Sequence, residues 1–367
     1  MKSIKVLLFI ICLNNLYSCT TDSNSGDVEQ NQNDPNELPN DEALYFPSLN
    51  SNTWDTKTIA ELGWNTDQLQ PLLNYLTDKN TKGFIILHNG KIVVESYLNG
   101  HTNTSPWYWA SAGKTLTTAV TGIAEDEGLL NIDDRVSNYL GTGWTSAPLE
   151  KENLITPKNL LSMDSGLDDS IGDSVLPENL QYVADAGSRW AYHNVYVKLQ
   201  DVVASASNMS FVDYFNDRLK NPIGMSGAWL PSGDFNVYWS TTRSMARFGL
   251  LIYANGTWNN QQVLPESFLN EAINTSQGLN EAYGYMWWLN GKTTFMLPQS
   301  QNIFSGSLIP NAPNDMYCAL GKNDQKIYIV PSENLVVIRM GEAADNENFA
   351  LSDFDDQLWL RINMLIN

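Results

Sequence analysis

The sequence has few cysteines, and none is placed to form an internal disulfide. Only three of 367 residues are cysteine: Cys12 and Cys19 lie within the first twenty residues, and Cys318 is alone in the rest of the chain. Histidine also occurs three times, without the spacing of metal ligands, and the chain has no H-E-x-x-H or C-x-x-C pattern. We therefore expect a fold held by its hydrophobic core, with no structural metal and no cofactor.

Basic residues are scarce as well. Lys and Arg number 21 against 41 Asp and Glu, which gives a formal net charge of −20 and a sequence pI near 4.4. A nucleic-acid partner needs a basic face, and this composition supplies none. The acidity is otherwise a property of a soluble surface and does not identify a substrate. A hydrophobic share of 43% in 367 residues is enough for a large core in one or two domains.

The first fifty residues predict export and a tether. A short basic segment precedes the apolar run 6–13, which is too short to span a bilayer comfortably and is typical of a secretory signal. The run ends in Leu16-Tyr17-Ser18-Cys19, which is similar to a bacterial lipobox. Residues 1–18 are therefore predicted to be a lipoprotein signal peptide, with Cys19 as the lipid anchor. An ordinary signal peptide with an incidental cysteine is the alternative.

Residues 19–50 are rich in Asn, Asp, Ser and Glu, and this composition predicts a flexible acidic tether. With Cys19 lipidated, the tether would hold a folded domain off a membrane surface. We therefore expect an exported bacterial lipoprotein that is anchored to a membrane, either in the periplasm or at the cell surface.

Residues 51–367 are predicted to form one folded domain. An Asn89-Gly90 turn between two β-branched runs predicts a hairpin over 83–97, and further strands are predicted at 326–330 and 335–340. Strands at both ends with a helical middle predict an α+β fold: an antiparallel sheet built from the two termini and flanked by helices, with an inserted all-α domain. The apolar spacing predicts helices at 67–76, 111–127, 156–163, 195–206 and 349–365.

The chain is organised around Ser111-Ala-Gly-Lys114, the one S-x-x-K pattern in the sequence. At a helix N-terminus, side chains three residues apart share one face. If the Lys114 ammonium is desolvated, its pKa falls and it can take the proton of Ser111. We predict that Ser111 is a nucleophile and Lys114 its base. The alternative is a serine that caps the helix beside a lysine that extends to solvent.

A second proton-handling group is predicted at Tyr192. The pattern Tyr-x-Asn occurs four times, and Tyr192-His193-Asn194 is the copy in a loop that opens a helix. A nearby ammonium would lower the pKa of the Tyr192 phenol, and Asn194 could bind a substrate carbonyl and hold Lys114. A buried tyrosine bonded to backbone is the alternative. His193 suggests a Ser-His-Asp triad, but the chain has no G-x-S-x-G elbow, so His193 is predicted to be structural.

Together these motifs resemble the serine β-lactamase-related superfamily, especially its class C β-lactamase, esterase and 6-aminohexanoate-dimer hydrolase branch. The resemblance covers roughly residues 54–367. It implies a serine β-lactamase/D,D-peptidase-like fold with the active site between its two parts. It also implies an acyl-enzyme route through Ser111, with Lys114 and Tyr192 handling protons. The other matching stretches are Asp164-Ser165-Gly166-Leu167, Pro222-Ile223-Gly224-Met225 and Tyr283-Gly284-Tyr285-Met286-Trp287-Trp288.

One motif of that superfamily is altered here. Where its members have Lys-Thr-Gly on a strand beside the site, this chain has Ala319-Leu320-Gly321. The cation and hydroxyl that grip a substrate carboxylate are therefore missing. By resemblance, the amides of Ser111 and Lys322 would form the oxyanion hole, with Gly321 allowing a close backbone approach to a ligand.

This altered motif decides the predicted substrate. A site without that grip favours neutral esters or amides over β-lactams and D-Ala-D-Ala peptides, unless Lys322 or Arg339 replaces the cation. We therefore predict a serine hydrolase that cleaves an ester or amide bond of a small-molecule or peptide-like substrate through an acyl-serine intermediate. A β-lactamase or D,D-peptidase is the alternative within enzymes, and a non-catalytic binding or sensor domain is the alternative outside them.

Overall fold

The computed structural model describes residues 43–49, 51–345 and 351–367. The predicted signal peptide 1–18, the anchor Cys19 and most of the tether lie outside the described residues and stay predictions. In the described part of the chain, no helix is long and apolar enough to cross a membrane.

The last residues assigned to the tether contact the folded domain. The Tyr45 amide donates to the Asn89 carbonyl at 3.2 Å, and the Phe46 ring lies against the Trp258 ring with centroids 5.2 Å apart. The packed chain therefore begins earlier than the boundary at residue 50 that composition predicted, because 43–49 include the apolar stretch 44–46.

The described residues form thirteen strands, and the largest sheet combines strands from both ends of the chain. The strands are β1 Thr81–His88, β2 Lys91–Tyr97, β3 Trp107–Tyr108, β4 Ala228–Ser232, β5 Phe235–Ser240, β6 Thr257–Trp258, β7 Gln261–Gln262, β8 Trp288–Leu289, β9 Thr294–Met296, β10 Ile303–Ser305, β11 Tyr317–Gly321, β12 Gln325–Val330 and β13 Leu335–Gly341. Six of them form an antiparallel sheet in the order β2-β1-β13-β12-β11-β8. The predicted hairpin at Asn89-Gly90 is confirmed as the β1–β2 pair.

Ten α-helices are present in the described residues, besides several short 3-10 turns and one π-helical turn. The α-helices are α1 Leu69–Asp78, α2 Lys114–Asp126, α3 Ser137–Leu140, α4 Leu149–Glu152, α5 Pro157–Ser162, α6 Val197–Ser207, α7 Phe211–Phe215, α8 Thr242–Tyr253, α9 Glu266–Ala272 and α10 Asp353–Ile366. The last helix begins at Asp353, later than predicted, because Ser352 and Asp355 form a capping box that fixes its first turn.

Helices pack against the large sheet and bury its central strands. α8 contacts β1, β12 and β13, while α1 packs against α10 and β1. Every residue of β12 and β13 is buried, as expected for strands covered on both faces. Gly249 lets α8 approach closely, because a β-carbon there would lie 2.6 Å from Val336 Cγ1.

The helices α2 to α7 form the middle of the chain, and a small sheet in the order β3-β5-β4 adjoins them. The predicted α+β class, with a terminal antiparallel sheet and a helical middle, is confirmed. The turn before α2 contacts the end of β11. Ser111 therefore lies where the helical middle meets the large sheet.

Candidate active site

Ser111 lies in a single 3-10 turn, Ala110–Gly113, immediately before α2. The Ala112 amide closes this turn on the Trp109 carbonyl at 3.1 Å. Ala110 has a φ of +47°, a left-handed conformation that costs a non-glycine residue about 1–2 kcal/mol. Strained backbone of this kind persists only where surrounding contacts fix it. The fold therefore determines where Ser111 points.

Lys114, the first residue of α2, is directed into the protein and is only 2% exposed. Its Nζ donates to Ser111 Oγ at 3.0 Å and to Asn194 Oδ1 at 3.2 Å. The rings of Tyr192 and Tyr196 lie 4.9 and 4.3 Å from Nζ. The ammonium therefore does not extend to solvent, and Tyr196 is a neighbour that the sequence did not point to.

Burial lowers the pKa of Lys114 from 10.5 to about 7, while the negative charge of Asp173 opposes this shift. Desolvation disfavours the charged form of a lysine, and the aromatic rings around Nζ only partly replace its hydration. Near neutral pH a large share of Lys114 is uncharged. In that form Nζ can accept a proton from Ser111 Oγ.

Tyr192 hydrogen-bonds to Ser111, and its ring packs against Tyr283 and Trp288 with centroids 6.1 and 5.7 Å away. Burial raises the pKa of its phenol to about 12, and the bond to Ser111 opposes the rise. The expectation that a neighbouring ammonium would lower this pKa is wrong. Desolvation is the larger effect, and Lys114 itself loses its charge near pH 7. Tyr192 therefore keeps its proton at neutral pH.

Asn194 begins a short turn, Asn194–Tyr196, ahead of α6. Its Nδ2 donates to the Asp173 carbonyl at 3.2 Å and to the Asp173 carboxylate at 3.3 Å. These bonds turn its Oδ1 toward Lys114. Sequence reasoning did not find Asp173, because it is one acidic residue among 41 Asp and Glu and only the fold places it here.

Replacing Asp173 with asparagine is expected to lower the pH at which the site becomes active. The carboxylate raises the pKa of Lys114, so its loss lowers that pKa further while an asparagine oxygen can still accept from Asn194. The acidic limb of kcat/KM against pH should move to lower pH, as a pH–rate profile would measure. Asp168→Asn is the control, since Asp168 does not influence the pKa of Lys114. An unmoved limb in Asp173→Asn would contradict this electrostatic role.

His193 is partly buried with its Nε2 enclosed, and desolvation lowers the pKa of its imidazole to about 4. Its Nε2 has no hydrogen-bond partner among the described residues, while the contacts of Ser111 are with Lys114 and Tyr192. A neutral imidazole of this kind is in line with the structural role predicted for it. In the described part of the chain, no cluster of three or more His, Cys, Asp or Glu could hold a metal ion.

Gly321, the last residue of β11, lies against the turn that carries Ser111. A β-carbon at Gly321 would be 2.4 Å from the Trp109 carbonyl oxygen and 3.0 Å from the Ala112 amide nitrogen. The expected close approach is thus to the backbone of this turn and not only to a ligand. Lys322 follows in the turn between β11 and β12, and its side chain is exposed.

Arg339 cannot replace the missing cation, although the sequence left that role open. Its side chain is fully buried, and all five of its N–H groups donate within the protein. The suggestion that Arg339 grips a substrate carboxylate is therefore wrong. The acceptors are Thr81 Oγ1 at 3.2 Å and the carbonyls of Asn323, Asp324, Lys79 and Glu342 at 2.9, 3.0, 2.7 and 2.8 Å.

The match to a family model supports a serine hydrolase of the β-lactamase fold, which acts through an acyl-enzyme. The chain belongs to the Beta-lactamase family, whose family model matches residues 80–357. The resemblance inferred from the motifs is thereby confirmed. No comparison supports the non-catalytic alternative.

Solved structures similar to this chain come from several kinds of hydrolase. A Bacillus anthracis protein described as a 6-aminohexanoate-dimer hydrolase has a TM-score of 0.66 at 20% identity, over 84% of this chain and 87% of that one. A class C β-lactamase from Rhodobacter sphaeroides has a TM-score of 0.57 at 16% identity, over 81% and 100%.

EstCE1, a hydrolase with promiscuous acyltransferase activity, has a TM-score of 0.59 at 13% identity, over 84% of this chain and 99% of that one. At these identities the likeness establishes the fold alone. A search of curated proteins found no match.

Proposed function

We propose that the protein hydrolyses neutral esters or amides, with Ser111 as nucleophile and Lys114 as base. The observation that carries the proposal is the 3.0 Å contact between Ser111 Oγ and the buried Lys114 Nζ, together with a pKa for Lys114 of about 7. An uncharged Lys114 takes the serine proton as Oγ attacks the substrate carbonyl carbon. A covalent bond between Ser111 and the acyl group results.

Tyr192 is proposed to protonate the leaving group. Its hydroxyl is bonded to Ser111, and its raised pKa keeps it protonated at neutral pH. When the tetrahedral intermediate collapses, the bond to the leaving oxygen or nitrogen breaks. The leaving group takes the Tyr192 proton, which the Lys114 ammonium replaces. Water then attacks the acyl-serine, and the same groups move protons in the reverse direction.

The developing oxyanion requires hydrogen-bond donors that are already in position. The amides of Ser111 and Lys322 are the proposed donors. Support comes from Gly321, whose lack of a side chain lets the end of β11 lie against the Ser111 turn.

A neutral substrate follows from the side chains around the altered motif. Ala319 and Leu320 are buried and apolar, and the guanidinium of Arg339 is fully used within the protein. Lys322 is exposed on its turn and is the remaining candidate to contact an acidic substrate. We therefore propose esters or amides without a carboxylate at that position. A β-lactamase or D,D-peptidase stays the alternative.

Labelling of Ser111 tests this proposal. A fluorophosphonate or an activated ester should add one adduct to the wild-type protein, located on Ser111 by peptide mapping and measured by intact mass. Ser111→Ala should give none, whereas Ser105→Ala, a change in an exposed loop upstream, should label like the wild type. An adduct on Ser111→Ala equal to that on the wild type would contradict the proposal. Stable acylation by a penicillin with no ester turnover would instead favour the β-lactamase or D,D-peptidase alternative.

A further inference from the structure

The turn between β11 and β12, residues 322–324, has an unusual backbone. The two strands pair as far as Gly321 and Gln325, and Asn323 and Asp324 both have a φ of +60°. Asn and Asp tolerate the left-handed region better than most residues. Two such residues in succession still need contacts that hold them there.

Two fully buried side chains, those of Gln325 and Arg339, bind the backbone of this turn. Gln325 Nε2 donates to the carbonyls of Asn323 and Gly341 at 2.8 and 2.6 Å, and its Oε1 accepts from the Gly341 amide at 3.1 Å. Arg339 Nη1 donates to the carbonyls of Asn323 and Asp324. Rotation of either peptide group would leave buried donors without acceptors, which is costly. The turn is therefore tied to the end of β13.

A further contact joins the turn to the segment that carries the nucleophile. Asn323 Nδ2 donates to the Tyr108 hydroxyl at 2.6 Å, and Tyr108 lies three residues before Ser111. On the same segment, the Trp107 indole donates to the Gly341 carbonyl at 3.0 Å. The turn and the segment that carries Ser111 are thus bonded to each other, and both are linked to Gly341 of β13, the turn through the Gln325 side chain and the segment directly.

We propose that Tyr108 and Asn323 are positioning residues whose hydrogen bond keeps the Lys322 amide aligned with the Ser111 amide. The inference rests on the proposed function, because alignment matters only if these two amides bind an oxyanion. Donors of an oxyanion hole are effective when they are fixed before the reaction. Both positioning residues act through the backbone and need no contact with the substrate.

The test is kinetic and uses Tyr108→Phe, which removes one hydroxyl and leaves the ring. With a p-nitrophenyl ester, kcat should fall about 10-fold while KM stays within about twofold, since a misaligned donor weakens transition-state binding alone. The acidic limb near pH 7 should stay in place, because Lys114 is untouched. Asn323→Gly, which keeps a left-handed backbone, should give the same loss. The double variant should lose no more than either single one, since both remove the same bond.

A matched control exists at the opposite end of the sheet. The Tyr253 hydroxyl donates to Asn334 Oδ1 at 2.8 Å, and Asn334 has a φ of +54° in the turn between β12 and β13. Tyr253→Phe therefore removes an equivalent tyrosine–asparagine bond far from Ser111, and kcat should not change.

The outcomes separate this inference from the proposed function. The positioning role would be overturned if the Tyr108→Phe protein folded and had the same kcat as Tyr253→Phe. It would also be overturned if Tyr108→Phe raised only KM, because Tyr108 would then be a substrate-binding residue. Losses that add in the double variant would also overturn it. Absence of any Ser111 adduct on the wild type would remove the proposed function, and this inference with it.

Discussion

Lys114→Met is expected to lower kcat/KM for an ester by about 10³-fold, the middle of the range for loss of a general base. Methionine fills a similar volume but cannot accept the proton of Ser111. The wild-type rate should rise with pH through about 7, since Lys114 is the base only after it loses its proton. The variant should lack that rise. Initial rates from pH 5 to 9 measure both effects.

The same substitution is expected to raise the melting temperature. Burial holds the pKa of Lys114 at about 7 in the folded protein, against 10.5 as its ordinary value. The unfolded chain thus binds this proton more tightly, and Lys114 costs stability increasingly as pH falls from 10.5 to 7. Methionine removes that cost, so the gain should be full below pH 7 and vanish above 10.5. A gain in stability with a loss of activity is the usual trade-off at an active site.

Lys198→Met is the control for both measurements. Lys198 is the second residue of α6 and is ion-paired with Asp201 at 3.2 Å, so the same substitution there removes a lysine without reaching Ser111. Activity and pH profile should match the wild type. If Lys114→Met kept its activity, or kept the rise near pH 7, another group would have to be the base.

Gly321→Ala is expected to lower kcat by about 10²–10³-fold, as when one oxyanion donor is lost. The new methyl carbon would lie 2.4 Å from the Trp109 carbonyl oxygen, and backbone on one side or the other must move. Because Ser111 lies two residues after Trp109, the displacement directly reaches the turn Ala110–Gly113 that carries Ser111. Overpacking of this kind also costs about 1–3 kcal/mol of unfolding free energy, which urea denaturation measures.

Gly278→Ala is the matched control, since a β-carbon there would meet nothing within 4 Å and its φ lies outside the left-handed region. It should leave activity and stability close to those of the wild type. A fully active Gly321→Ala would show that β11 need not lie so close to the turn. The role proposed for the Lys322 amide would then lose its main support.

Local patterns in the sequence predicted the elements that depend on near neighbours. The Asn89-Gly90 hairpin, the strands β12 and β13 and the helix after Ser111 follow from turn chemistry and apolar periodicity, which act over a few residues. The proximity of Ser111 and Lys114 could be predicted from the S-x-x-K pattern for the same reason. A spacing of three residues along one helical turn brings two side chains together wherever the helix packs.

The environment of the site could not be predicted in this way, because it depends on contacts between distant residues. Lys114 meets Asn194 across 80 positions, and Asn323 meets Tyr108 across 215. The shift of the Tyr192 pKa was predicted in the wrong direction for the same reason, since it also depends on contacts between distant residues. A sequence shows that a cation is available but not how far water is excluded, and here desolvation raises the pKa of Tyr192 more than the bond to Ser111 lowers it.

The sequence by itself determined the class of fold, the pairing of Ser111 with Lys114 and the loss of the Lys-Thr-Gly motif at Ala319-Leu320-Gly321. Only the tertiary structure decided that burial lowers the pKa of Lys114 to about 7, and that the Arg339 guanidinium is enclosed and fully used within the protein. The physical reason is that residue identity supplies the chemical groups and local periodicity supplies helices and strands. Burial and charge environment, which set proton affinity and access, arise only when segments far apart in the chain pack together.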